Sequence, residues 1–281
     1  MVSINPIQVL LWTFRRNEQD VVNLYNSLSP VMQIATGGNM LNFGYWNQNT
    51  KDPIEAQREL CTMVANLAEL DSAKNIVDIG SGFSAPAMQW KSMHSSLHIT
   101  CLNINFHQLK TSAVNNGIAF VNSTSATLPL ANNCVDRVIA LESAQHFKPL
   151  TSFIRESRRV LNKNGILIMA IPVTTEESIT SFMKLGILSF TWSSEHYGLD
   201  NVKSEIARAG FHISELQKIG KNVYGPLTDY YIKNRDVLRR KILKEYPSYL
   251  ENILYKSLLK MKDASQKGII DYALIKCVLS K

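Results

Sequence analysis

Apolar residues recur along this chain in two alternating rhythms. In the first fifty positions Val21, Val22, Leu24, Tyr25, Leu28, Val31, Met32 and Ile34 return at helical spacing until Gly37-Gly38 breaks the run. A second helix is signposted at Asp52, which suits an N-cap. Pro53 fits the first helical position and Glu55 completes a capping box ahead of the stripe Leu60, Val64, Leu67. From Asn75 the rhythm changes. Ile76–Ile79, Leu97–Leu102, Ile118–Val121, Val135–Leu141 and Ile166–Ile171 read as strands, with helices over Ser84–Met93, Asn105–Val114 and Ser152–Leu161. This alternation predicts an α/β fold with a doubly wound parallel sheet, helices on both faces, and ligands at the carboxyl ends of the strands.

Beyond Pro172 the pattern loosens. Thr174 to Asp200 is polar and aromatic, with Trp192, His196 and Tyr197. A helix over Val202–Ala209, a strand over Phe211–Ile219, basic helices and a closing strand over Ile269–Leu279 are expected. No internal repeat or Pro/Gly/Ser-rich linker divides the chain, so one domain with helical additions is predicted.

Composition narrows the function classes. With 281 residues, 45% apolar and 19% charged, the chain has material for a substantial core. Its four cysteines, Cys61, Cys101, Cys134 and Cys277, lack the spacing of a zinc module, a redox dithiol or a disulfide scaffold, and fit a reducing compartment. The longest apolar run, Gly165 to Val173, falls short of the ~20 residues that span a bilayer. Arg15 and Arg16 follow the apolar stretch Ile7–Trp12, the reverse of a secretory signal. A soluble, cytoplasmic protein is expected. The net charge of +7 is concentrated between Tyr231 and Lys262, where nine basic residues face three acidic ones. Such a segment attracts nucleic acid or an anionic membrane surface, or forms the solvated face of a helical hairpin.

Chemistry concentrates in Ile76-Val77-Asp78-Ile79-Gly80-Ser81-Gly82-Phe83-Ser84-Ala85. Glycines at the end of the first strand let backbone approach a ligand closely, and the next helix offers unpaired N–H groups. The glycines alone also fit a dinucleotide fingerprint. Asp78 separates the two readings: a carboxylate just before the glycines repels a pyrophosphate and suits a ligand that brings positive charge.

In order and spacing these residues resemble the class I S-adenosylmethionine-dependent methyltransferases, from about Gly37 to Gly210. Val77-Asp78-Ile79-Gly80-Ser81-Gly82 matches the family's first motif. Cys101-Leu102-Asn103-Ile104-Asn105 falls where the ribose is held, and Ser123-Thr124-Ser125-Ala126, before Leu128-Pro129, where the adenine is held. Val135 to Ser143 matches the fourth strand, and Arg155-Glu156 to Leu161, then Asn164-Gly165, the helix and turn before the fifth. The resemblance implies a Rossmann-like seven-stranded sheet with an antiparallel last strand and S-adenosyl-L-methionine as cofactor, with S-adenosyl-L-homocysteine as product. Its implied cofactor contacts are Asp78, Gly80, Ser81, Gly82, Asn103, Ile104, Gln108, Thr124, Ser125, Ala126, Leu141 and Glu142. Asn42-Phe43-Gly44-Tyr45-Trp46 and Glu142-Ser143-Ala144-Gln145-His146-Phe147 are similar to the branch acting on quinones, sterols and glycosylated natural products.

The departures are specific. Ser84 replaces the third glycine, Asn103 stands where many relatives carry a ribose-binding carboxylate, and Thr124 or Ser125 where many carry aspartate. A charge-assisted bond is worth about 1.5–3 kcal/mol against about 0.5–1.5 for a neutral one, so the cofactor needs other contacts here. His146, beyond the fourth strand, is the expected general base. Tyr45, Trp46, His196 and Tyr197 are the expected acceptor contacts. Residues 1–50 are expected to form a helical lid over a methyltransferase domain of 51–281, with a substrate cap at 174–200 and a basic helical insertion at 231–264. No histidine spacing suggests a metal. The expected activity is methylation of a small, apolar or ring-containing molecule, with peripheral membrane contact through the basic helices. RNA methylation, or a binding-only relative without turnover, stands as the alternative.

Overall fold

Short apolar runs become strands because they are buried on both faces. In the computed structural model, which describes residues 5–112, 117–175 and 195–280, these strands are β1 (Asn75–Ile79), β2 (His98–Asn103), β3 (Ile118–Asn122), β4 (Val135–Leu141), β5 (Leu161–Thr174), β6 (Phe211–Lys218) and β7 (Ile270–Leu279). They form one sheet in the order β3-β2-β1-β4-β5-β7-β6. The first five run parallel, and β7 is antiparallel to both β5 and β6. β5 is longer than its apolar run predicts because Ile166–Thr174 pairs continuously with Val278–Ile270.

The helices are α1 (Pro6–Arg15), α2 (Glu18–Thr36), α3 (Pro53–Leu67), α4 (Ala85–Met93), α5 (Phe106–Ser112), α6 (Leu150–Val160), α7 (Leu199–Arg208), α8 (Tyr224–Ile242) and α9 (Ser248–Gln266). α3 starts as expected, Asp52 Oδ1 accepting the Glu55 N–H at 2.9 Å. The Glu55 carboxylate turns instead to the Lys51 N–H at 2.8 Å. One face of the sheet buries Leu60, Val64, Trp90 and Tyr224 from α3, α4 and α8; the other buries Phe153, Ile154, Val202 and Ile206 from α6 and α7. A third cluster joins Val31 of α2 to Ile242, Tyr246 and Leu250, so the amino-terminal helices pack on the carboxyl-terminal pair. That contact decides the shape of the site.

The basic segment lies on α8 and α9, and part of its charge is consumed internally. Glu251 is fully buried and takes Arg235 at 2.8 Å and Arg239 at 3.5 Å. The Arg235 guanidinium also lies 3.5 Å over the Tyr255 ring, a favourable cation–π position. Most of the expected cap at 174–200, including Trp192, lies outside the described residues; Thr174, Thr175 and 195–200 lie within them. Among the described residues no helix is long and apolar enough to cross a membrane, and no cluster of His, Cys, Asp and Glu could hold a metal.

Candidate functional site

The glycine loop is fixed by backbone conformations that glycine alone adopts without strain. Gly80 and Gly82 have φ of +73° and +55°. A Cβ on Gly80 would come within 2.4 Å of Ser143 Cβ. The Gly80 and Ser81 N–H groups both point at the Leu102 carbonyl, at 2.7 and 3.2 Å. Ser84, in place of a third glycine, takes the left-handed conformation anyway, with φ of 56°, and is fully buried. Its hydroxyl donates to Ser81 Oγ at 3.2 Å.

Asp78 precedes this loop on β1, its backbone flanked by Cys101 and Ile139. It is 2% exposed, and its Oδ2 has no hydrogen-bond partner among the described residues. Burial pushes its carboxyl up to about 7. An acceptor left unsatisfied in a low-dielectric site is costly, which is the signature of a group waiting for a ligand.

Asn103, at the end of β2, donates to the Gly82 carbonyl at 3.2 Å and to Gln108 Oε1 at 2.9 Å. Helix α2 lies across this floor and is pinned to it by polar pairs. Asn105 donates to Asn26 Oδ1 at 2.8 Å, Gln108 to Ser29 Oγ at 3.3 Å, and the Thr124 hydroxyl to the Glu18 carboxylate.

Between floor and helices lies a cavity of about 390 Å³. Its polar end is lined by Gly80, Ser81, Gly82, Asn103, Ile104, Gln108 and Ser125, and its wall by Leu141, Glu142 and His146. Asp78, Thr124 and Ala126 do not line it, although each adjoins a residue that does or lies within two positions of one. From this end an apolar wing extends between α2 and α9, with Val21, Leu28, Met32, Leu250, Leu254 and Met261 on its sides.

Glu142 directly follows β4, with φ of 49°. Its carboxylate accepts the Phe43 N–H and the Tyr272 hydroxyl, both at 2.9 Å. Burial raises it to about 8 despite those bonds. His146 closes the short turn Ala144–His146 that follows. Its Nε2 lies 2.8 Å from the Tyr25 hydroxyl of α2, and the rings meet edge to face at 5.4 Å. Burial, and then the nearby Glu142, hold the Tyr25 hydroxyl well above its ordinary range.

The four expected acceptor contacts lie off the cavity surface. Tyr45 and Trp46 belong to a strap pressed on α3: a Cβ on Gly44 would come within 2.6 Å of Ala56 Cβ. The Tyr45 N–H donates to the Ala56 carbonyl at 2.8 Å, and the Trp46 ring packs on Tyr230 with centroids 5.7 Å apart. His196 and Tyr197 brace the His146 turn from behind. The Glu195 N–H donates to the Gln145 carbonyl at 2.9 Å, and the Tyr197 hydroxyl to the Phe147 carbonyl at 2.6 Å. His196 is buried, and burial, with Arg16 and His146 adding to it, lowers its ring to about 3, so it stays neutral.

Sequence reasoning did not single out Tyr25, Glu18 or the α9 residues as part of a site. Tyr25 sits in the apolar stripe of α2, where its hydroxyl was the only available signal. The α9 residues lie in the basic segment, where the charge pointed to nucleic acid, a membrane surface or solvent and the apolar positions between the charges were passed over.

Three buried acceptors around the cavity, Asp78 Oδ2, Asn42 Oδ1 and Gln145 Oε1, have no hydrogen-bond partner among the described residues. With the glycine cradle beside them they fit a ligand that brings positive charge and N–H donors, as S-adenosylmethionine does. Comparison with known proteins agrees. Residues 77–169 match the family described as "Methyltransferase domain". The chain is 24% identical over 239 residues to erythromycin 3''-O-methyltransferase of Saccharopolyspora erythraea, covering 79% of this chain and 78% of that one. It is 26% identical over 152 residues to 27-O-demethylrifamycin SV methyltransferase of Amycolatopsis mediterranei, covering 52% and 55%. A cyclopropane synthase from Mycobacterium tuberculosis shares the fold, with a TM-score of 0.78 at 13% identity over 90% of this chain and 95% of that one. The matched domain and the methyltransferase relatives make this chain an S-adenosylmethionine-dependent methyltransferase, with S-adenosyl-L-methionine as its cofactor.

Proposed function

We propose that this enzyme methylates a hydroxyl group on an apolar, ring-bearing small molecule that enters through the wing between α2 and α9. The observation that carries this reading is the Tyr25–His146 contact, 2.8 Å long, where the apolar wing meets the polar floor. The relatives named erythromycin 3''-O-methyltransferase and 27-O-demethylrifamycin SV methyltransferase support it. An apolar chamber gives no support to an RNA acceptor.

The cofactor would be held by Gly80, Ser81 and Gly82, with Asn103, Ile104 and Gln108 toward the ribose and Thr124, Ser125 and Ala126 toward the adenine. Leu141 and Glu142 would form the wall, and Asp78 would counter positive charge. When bound, S-adenosylmethionine supplies an electrophilic methyl group on a leaving thioether. The protein's share is alignment, exclusion of water and removal of one proton. α1 and α2 close the chamber as a lid. The Tyr25 hydroxyl marks the direction in which His146 Nε2 bonds, and an acceptor hydroxyl from the wing takes that direction and gives its proton to Nε2. Glu195, His196 and Tyr197 hold the turn from behind and so fix where the imidazole points.

The test is production of S-adenosylhomocysteine from hydroxylated macrolactones, their glycosides and polycyclic phenols, followed by mass spectrometry. His146→Ala is expected to lower kcat by about 10²–10⁴ while S-adenosylhomocysteine binds within about twofold of wild type. Unchanged turnover would remove His146 from the mechanism. Methylation of nitrogen or carbon acceptors alone would overturn the choice of a hydroxyl.

A further inference from the structure

The cofactor floor lacks the carboxylates expected of it: Asn103 and Thr124 or Ser125 stand in their places. One carboxylate does reach that end of the cavity, from a different part of the chain. Glu18, the first residue of α2, lines the cavity beside Ser123 and Ser125, and its Oε1 accepts the Thr124 hydroxyl. Thr124 is tied in turn to the loop after β3, its Oγ1 accepting the Ala126 N–H at 3.3 Å.

We infer that Glu18 is the adenine-reading carboxylate of this enzyme, supplied by the lid helix instead of by the loop after β3, and that it accepts the adenine 6-amino group. The inference rests on the S-adenosylmethionine reading of the cavity and specifies one contact within it. Two observations favour adenine over ribose as the partner. Glu18 meets the floor at the end of β3, whereas the ribose position, Asn103, ends β2 and is occupied with Gly82 and Gln108. The carboxylate has two oxygens with about four acceptor sites, so its bond to Thr124 leaves capacity for an exocyclic amine. A consequence follows for the lid. α2 is already bound to the floor through Asn26, Ser29 and Glu18, and an adenine bridging Glu18 to the floor adds one further tie between lid and sheet.

The experiment is a thermodynamic double cycle by calorimetry. Its ligands are S-adenosylhomocysteine and its 6-deamino analogue, in which hydrogen replaces the amino group, and its proteins are wild type and Glu18→Ala. Wild type is expected to bind the analogue about tenfold more weakly than the parent, about 1.4 kcal/mol. Glu18→Ala is expected to bind the parent about tenfold more weakly and to distinguish the two ligands by less than about twofold. Glu18→Gln, which keeps an acceptor oxygen, recovers part of the preference. If Glu18→Ala weakens both ligands by the same factor, Glu18 only holds the lid and the inference fails; it fails equally if the variant binds as wild type does. Failure of wild type to bind S-adenosylhomocysteine at all would strike the reading of the cavity, a distinguishable result.

Discussion

The floor of the cavity comes from one stretch of chain, Gly80 to Ser125, while its wing joins Val21–Met32 to Leu250–Met261 from opposite ends of the sequence. The floor is specified by backbone: positive φ at Gly80 and Gly82, N–H groups aimed at the Leu102 carbonyl, and side-chain amides that brace the turns. The wing is specified by packing, in which apolar side chains of two helices stand apart far enough to leave a chamber. A floor of this kind recognises one cofactor and tolerates little change. On the proposed function a wing of this kind would set which acceptor enters, and it changes with single side chains at modest cost.

The sharpest way to break the floor is Gly80→Ala. The new Cβ would sit 2.4 Å from Ser143 Cβ on a residue at φ of +73°. Left-handed strain of about 1–2 kcal/mol adds to about 1–3 kcal/mol of overpacking. The expected outcome is a loss of S-adenosylhomocysteine affinity of about a hundredfold or more, read by calorimetry, with a Tm lowered by several degrees. Near-normal affinity would mean that the loop adapts and that its backbone is not the recognition element.

This contrast also explains what was legible in the sequence. The glycine loop and Asp78 declare themselves because a sharp turn and a carboxylate in an apolar strand demand particular residue types. The doubly wound parallel layout followed from the alternation of strands and helices, and the antiparallel last strand from the family resemblance; the strand order came from the structure. The wing was not legible, because Leu28 or Leu254 at helical spacing looks the same whether it covers a core or a ligand. Tyr45 and Trp46 were expected to contact the acceptor because Asn42-Phe43-Gly44-Tyr45-Trp46 resembles a motif of the small-molecule branch. Yet the positive φ of Gly44, +78°, turns the strap onto Ala56 and Tyr230, and its neighbours Asn42 and Phe43 line the cavity instead.

The wing is probed by Leu254→Ala on α9. Truncating this half-buried side chain removes part of the ~1.5–3 kcal/mol that a fully buried leucine contributes, here as contact with the acceptor. KM for the acceptor is expected to rise about threefold to tenfold, with S-adenosylhomocysteine affinity unchanged. A matching fall in cofactor affinity would show that floor and wing are coupled through α2, and the division drawn between them would not hold.

The smallest effect tests the strain held in the floor. Asp78 ionises near 3.8 when exposed, but burial in the ligand-free fold raises it to about 7. Below about pH 4 the group is protonated in both states and has no effect. Between about pH 4 and 7 the unfolded chain releases a proton that the folded chain retains, so folding stability declines as pH rises, and above pH 7 the penalty is constant. Asn at this position cannot ionise. The Tm difference between Asp78→Asn and wild type, both ligand-free, is therefore expected to grow in favour of the variant from pH 5 to pH 7.5 and then level off. Glu142, raised to about 8 by its own burial, titrates in both proteins and cancels in the difference. The variant should gain a few degrees at pH 8 while losing affinity for S-adenosylmethionine, whose positive charge Asp78 would no longer meet. A Tm difference independent of pH would show that the carboxylate is already ionised and compensated within the fold, and that the floor carries no cost for the cofactor to relieve.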